Sequence, residues 1–123
     1  MIYNYTPHTI NIYSLTDCYY DQKNRKYFVK EGVKPIHSIP SQGVLNAHID
    51  YEKVDEIDGI PIYEAKVKSI DPLPSGLLVV SALFANACKI LGVGTDRLLT
   101  ISNPVYSNPD NPRPIGCLGL NKA

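Results

Sequence analysis

Hydrophobic and polar positions alternate with period two through much of the first half of the chain. Thr9-Ile10-Asn11-Ile12-Tyr13 and Ala47-His48-Ile49-Asp50-Tyr51 place every second side chain on one face, as half-buried strands do. Tyr3-Asn4-Tyr5 predicts a short strand. Thr6-Pro7-His8 predicts a turn, because proline presets φ and has no amide donor. The polar run 21–26 predicts a turn that returns into Tyr27-Phe28-Val29. Residues 33–39 and 44–51 read as two further strands separated by Pro40-Ser41-Gln42-Gly43. Asp58-Gly59 is a strong turn signal ahead of a strand over 60–67, where Pro61 indicates an edge or a strand start.

The pattern changes after Pro72-Leu73-Pro74-Ser75-Gly76. Leu77-Leu78-Val79-Val80 is a continuous apolar run, read as a buried strand. Ser81 is a candidate N-cap for a helix over 82–91, which stops at Gly92. A strand is expected over 97–101. Residues 102–114 hold four prolines and four Asn or Asp residues and read as an irregular loop, before a last strand over 115–120. The expected fold class is α+β, mostly antiparallel β, with one or two helices in the C-terminal half, in a single domain spanning residues 1–123.

Composition narrows the function classes. The chain has 123 residues, 44% hydrophobic and 20% charged, enough apolar material for one core. Its 12 basic and 12 acidic residues cancel, whereas a protein that tracks a nucleic-acid polymer shows a basic excess. No apolar run approaches the roughly 18 residues of a membrane span. The first residues lack a basic segment followed by an apolar one, which points away from secretion. Cys18, Cys88 and Cys117 are odd in number and far apart, which fits a reducing cytoplasm.

Catalytic patterns are missing. His8, His37 and His48 fall on separate elements and there is no CxxC, so neither a metal site nor a cofactor is expected. Cys88 and Cys117 lie in apolar segments, where a thiol's pKa rises. The cluster Asp50, Glu52, Asp55, Glu56 and Asp58 lacks the ligand pattern of a calcium loop and reads as a solvated face. Gly92-Val93-Gly94-Thr95 follows a helix, whereas phosphate-cradling glycines precede one. Three features suit a nucleotide instead: Phe84 as a ring that stacks on a base, Asn86 for a base edge, and Arg97 with Arg113 for phosphate. Spacing alone favours core packing for Phe84.

Three strings together resemble a known group: Asn4-Tyr5-Thr6-Pro7-His8-Thr9-Ile10, Leu78-Val79-Val80-Ser81-Ala82-Leu83-Phe84-Ala85-Asn86-Ala87 and Ile115-Gly116-Cys117-Leu118-Gly119-Leu120. Their order is similar to that of the phage anti-Thoeris sponge family. The resemblance covers both ends and the middle; the stretch from about residue 17 to 71 carries no matching motif. It implies a non-enzymatic protein of the bacterial host cytoplasm. Such a protein holds a cyclic ADP-ribose isomer (glycocyclic ADP-ribose) without degrading it, and in some members binds cyclic di- or trinucleotides as well. It further implies homodimers or higher homo-oligomers, with base stacking on Phe84, a phosphate grip on Arg113, and weaker roles for Asn86, Arg97 and Arg25. Two other readings stand beside it. One is an enzyme degrading a nucleotide signal through His48 or His37 with a carboxylate such as Asp50. The other is a small phage structural or interaction protein.

Overall fold

The computed structural model describes residues 1–123. Its strands are β1 (Ile2–Asn4), β2 (Ile10–Ile12), β3 (Cys18–Asp21), β4 (Lys26–Val29), β5 (His37–Ile39), β6 (Ala47–Ile57), β7 (Ile60–Ile70), β8 (Leu77–Val79), β9 (Leu98–Tyr106) and β10 (Gly116–Lys122). One α-helix, α1 (Ala82–Ile90), lies in the C-terminal half, and a single 3-10 turn spans Leu15–Asp17. The fold is α+β, and most paired residues sit in antiparallel ladders.

The main sheet runs β1-β8-β9-β10-β2-β5, with β4 joining β9 and β3 joining β4. Beyond β5, Ser41 bridges back to Asn4 in β1, and the Gln42 amide donates to the Asn4 carbonyl at 2.8 Å. The two ends of the six-strand path therefore meet at this one point, and the sheet curls into a small barrel joined at Asn4. Ile10, Val79 and Cys117 fill one side of it, with Ile12, Ile39, Leu99 and Leu120 against them. Side chains alternate along β8, so Leu78 and Val80 point the other way. There they pack with Leu45 and Leu98 against Phe84, Ala85 and Cys88 of α1. A third cluster joins Tyr13, Cys18 and Val105.

The helix follows from its local sequence. Ser81 Oγ accepts the Phe84 amide at 3.1 Å, satisfying one orphan donor of the first turn. At the other end Gly92 has φ +73°, a region costly for residues with a Cβ. That geometry lets the Val93 amide reach the Cys88 carbonyl (2.8 Å) and the Gly92 amide reach Lys89 (3.2 Å), closing a Schellman motif. Val93 packs on the core cluster beneath. These amides complete the helix.

The structure departs from the sequence reading in two places. β9 continues to Tyr106 through the segment read as a loop, and Pro104 lies within it. On one side, β8 pairs with β9 only as far as Leu99 and β4 joins only at Val105. Pro104 thus occupies a stretch with no strand on that side, where a missing N–H costs little. The second departure concerns β6 and β7. They have 11 residues each, longer than expected, and pair only with one another as a separate two-stranded arm. Ala47 and Ile70 at its base pack on the core, while nearly all the rest is exposed. The acidic cluster lies along this arm. Glu52 pairs with Lys66 (2.9 Å), Asp50 with Lys68 (2.8 Å) and Glu56 with Lys53 (3.1 Å). Such exposed pairs contribute little stability.

Candidate functional site

A cleft of about 420 Å³, lined by 15 residues, lies at the end of β8, where the chain turns into α1. Ligand pockets commonly fall in this size range. Buried Ile10, Val80 and Cys117 line its inner part. Its walls are the loop Thr6-Pro7-His8-Thr9, the start of α1 at Ser81-Ala82, the edge of β9 at Thr100, Ile101 and Pro104, and the segment Pro114-Ile115-Gly116. It opens beside the stretch of β9 left bare between β8 and β4.

Each wall has a local cause. The 6–9 loop is held by Asn4, which is fully buried. Its Nδ2 donates to the carbonyls of His8 (2.8 Å) and Ile39 (2.9 Å). Its Oδ1 accepts from the Thr6 amide (2.9 Å) and the Thr6 hydroxyl (2.6 Å). Ser41 Oγ donates to the Thr6 carbonyl at 2.6 Å. The loop is thus tied both to β1 and to the chain beyond β5. Gly116 is needed for a different reason. A Cβ there would run into the backbone oxygen of Asn11, with the Tyr13 ring at 2.7 Å, so β10 reaches β2 only with glycine at this position.

The cleft is electrically neutral but not featureless. Its lining contains no Asp, Glu, Lys or Arg. Its polar groups are the hydroxyls of Thr6, Thr9, Ser81 and Thr100 and the imidazole of His8. α1 begins at its wall, where an α-helix carries about half a positive charge and unpaired amides. Burial pushes the Cys117 thiol above its ordinary pKa and leaves it a poor nucleophile at neutral pH. Cys18 and Cys88 are raised for the same main reason, desolvation.

The residues singled out from sequence are scattered by the fold. Phe84 is 1% exposed, with its ring inside the core formed with Leu78, Val80 and Leu98. It offers no free face for stacking, which corrects its assignment as a base platform. Asn86, two residues further along α1 and so on its opposite face, is exposed in a shallow depression with Lys89 and Lys122. Arg97 is engaged by backbone: its Nη1 donates to the carbonyls of Pro74 (2.7 Å) and Gly76 (2.9 Å), fastening the 72–76 turn to the start of β9. Arg97→Met is therefore expected to lower the melting temperature while leaving any ligand affinity unchanged, as paired calorimetry and titration would show. Arg25 sits at φ +55° in the β3–β4 turn, against Tyr27, Asn103 and Tyr106. Only Arg113 approaches the cleft, exposed and adjacent to lining residue Pro114.

The histidine–carboxylate pair that does form is not the expected one. His48 Nε2 lies 2.9 Å from Asp71, at the exposed base of the arm, and Asp50 pairs with Lys68 instead. The His48 hydrogen bond, then the Asn46 amide, hold the Asp71 carboxyl below its usual range. Neither His48 nor Asp71 lines the cleft. No three His, Cys, Asp or Glu side chains converge anywhere in the fold, and no helix is long and apolar enough to cross a membrane. The lining residues that sequence reasoning missed, Thr6, His8, Ser81, Thr100 and Cys117, come from four separate segments. Two of those segments carry the Thr6-Pro7-His8 turn and the Ser81 cap, which were the available signals. No protein-family model, no curated protein and no solved structure matches the chain.

Proposed function

We propose that the chain captures a small nucleotide-type ligand in this cleft and releases it chemically unchanged. The observation that carries this reading is a neutral cleft with a buried apolar lining, whose polar groups are hydroxyls, one imidazole and the start of a helix. A base or ribose fits against Ile10, Val80 and Ile101. A phosphate is favoured by the first turn of α1 and by Arg113 at the rim. His8 is the one exposed titratable side chain in the lining, and no carboxylate stands beside it to form an acid–base pair. The finer reading, sequestration of a cyclic ADP-ribose isomer inside an infected bacterium to blunt Thoeris signalling, follows the resemblance of the three strings to the sponge family. Cyclic oligonucleotides are secondary candidates.

The test is to mix protein with a cyclic ADP-ribose isomer, remove free ligand, denature the protein and analyse what is released. Intact ligand at no more than one equivalent per site is the expected result. A degraded product exceeding the protein present overturns the reading in favour of an enzyme. If no nucleotide raises the melting temperature, the interaction-protein reading takes its place, because a ligand at about 100 times its Kd stabilises by roughly 2.7 kcal/mol. Ala82→Phe fills the cleft from an exposed helix position. It is expected to weaken binding at least tenfold with an unchanged thermal midpoint.

A further inference from the structure

One side of β9 carries a gap in the sheet. Away from β10, β8 pairs with it only as far as Leu99, and β4 joins only at Val105. At about 3.3 Å per residue the two ends of this slot lie roughly 20 Å apart, room for an extended segment of about five residues. The backbone direction is fixed by two hydrogen bonds. The Leu99 carbonyl accepts the Val80 amide (2.9 Å) and faces β8, whereas the Leu98 carbonyl accepts the Ala123 amide (3.1 Å) and faces β10. Successive residues of a strand turn their backbone groups to opposite sides, so the amide and carbonyl of Ile101 face the slot. No loop backbone group bonds them, and Ile101 is 44% exposed. An unpaired edge of this kind is a template for another strand.

Two different surroundings flank the slot. The neutral cleft shares Ile101 and Pro104 with it. Toward β4, Asn103 and Pro104 also border a smaller hollow of about 350 Å³, formed with Tyr20, Arg25, Lys26 and Tyr27. Neither Arg25 nor Lys26 has an acidic partner within the chain, and Lys26 Nζ rests 4.4 Å over the Tyr106 ring. We propose that the slot takes an extended peptide of a partner protein as an added strand on β9. An apolar side chain of that peptide enters the cleft, and a carboxylate about three residues away meets Arg25 and Lys26. Pairing with Ile101 sets the register. Asn103 at φ +48° and Pro104, which has no amide donor, end the ladder there. Side chains therefore select the peptide. The cleft lining has no ionic partner for a charge, so the residue beside Ile101 is uncharged. The unpaired cations at the other end call for an acid. A partner that offers only side chains leaves the Ile101 donor and acceptor unmatched, whereas an extended strand satisfies both.

Panning a library of random octapeptides on the intact protein tests this. Enrichment of sequences with an apolar residue and an Asp or Glu about three positions apart is the expected result. N-methylating a selected peptide one residue at a time is expected to lower affinity about tenfold at the single position whose amide pairs with Ile101, and not at its neighbours. Arg25→Asn keeps a residue that tolerates φ +55°. It is expected to weaken the acidic peptide about tenfold and to leave its Gln-substituted form unchanged. Enrichment of no common sequence overturns the proposal. N-methylation without effect at every position also overturns it, because the peptide is then held without strand pairing. So does an acidic peptide whose affinity survives Arg25→Asn combined with Lys26→Gln. Failure here leaves nucleotide capture by the cleft untouched, since that is read from the ligand released on denaturation.

Discussion

Truncating Phe84 to alanine destabilises the protein by about 3–5 kcal/mol, as removal of a buried ring from a packed core typically does. The ring is 1% exposed and shares its cluster with Leu45, Leu78, Val80, Leu98 and Cys88. These residues come from both sides of the α1–sheet interface, so neither side can collapse into the void without moving a strand of the barrel. For a domain of this size the loss lowers the melting temperature by roughly 10–20 °C, against a total stability of about 5–15 kcal/mol. Phe84→Leu restores most of the volume and costs less than about 1.5 kcal/mol. Urea denaturation of the two variants measures the difference. If Phe84→Ala instead keeps full stability and loses only ligand affinity, the ring is a binding platform and its placement in the core is overturned.

The same residue shows what a sequence can and cannot reveal here. The helix was legible because its signals are local: a cap at Ser81, an apolar run, and a glycine stop at Gly92. β2 was legible because its apolar and polar residues alternate, and β8 because it is a short continuous apolar run, buried on both faces. The arm was only half legible. A strand pair that no core covers has no apolar face to advertise, and residues 52–57 read as a polar cluster rather than as β6. β9 was obscured by Pro104, whose tolerance depends on where neighbouring strands end, a fact of topology alone. The cleft suffered most. Its lining comes from residues 6–10, 80–82, 100–104 and 114–117, and nothing local says that these segments meet. Arg97 looked like an anion grip because its carbonyl acceptors lie more than 20 residues away in sequence.

Asn4 is the residue whose replacement reaches both the fold and the cleft. All four hydrogen-bonding positions of its side chain are used, at 2.6–2.9 Å, in a site with no solvent exposure. Asn4→Ala leaves the carbonyls of His8 and Ile39 and the Thr6 amide without these partners. Unsatisfied buried groups cost about 1–3 kcal/mol each, so a loss on the order of 3–5 kcal/mol is expected after local relaxation. The 6–9 loop loses its anchor, and ligand affinity falls with stability. Asn4→Asp separates hydrogen bonding from shape. Its Oδ1 still accepts from the Thr6 amide and hydroxyl, but at neutral pH the oxygen that replaces Nδ2 faces the His8 and Ile39 carbonyls without a proton between them. Burial and those carbonyls both disfavour the charged form, so the folded pKa rises above the unfolded value of about 3.9. The folded state then binds more protons than the unfolded state between those two pKa values. Stability of Asn4→Asp therefore increases as pH falls from 7 toward 4, whereas that of Asn4→Ala, relative to wild type, stays flat. Urea midpoints at pH 7 and pH 5 distinguish the two. A pH-independent deficit in Asn4→Asp would mean that the side chain is hydrated and that the barrel closure does not depend on it.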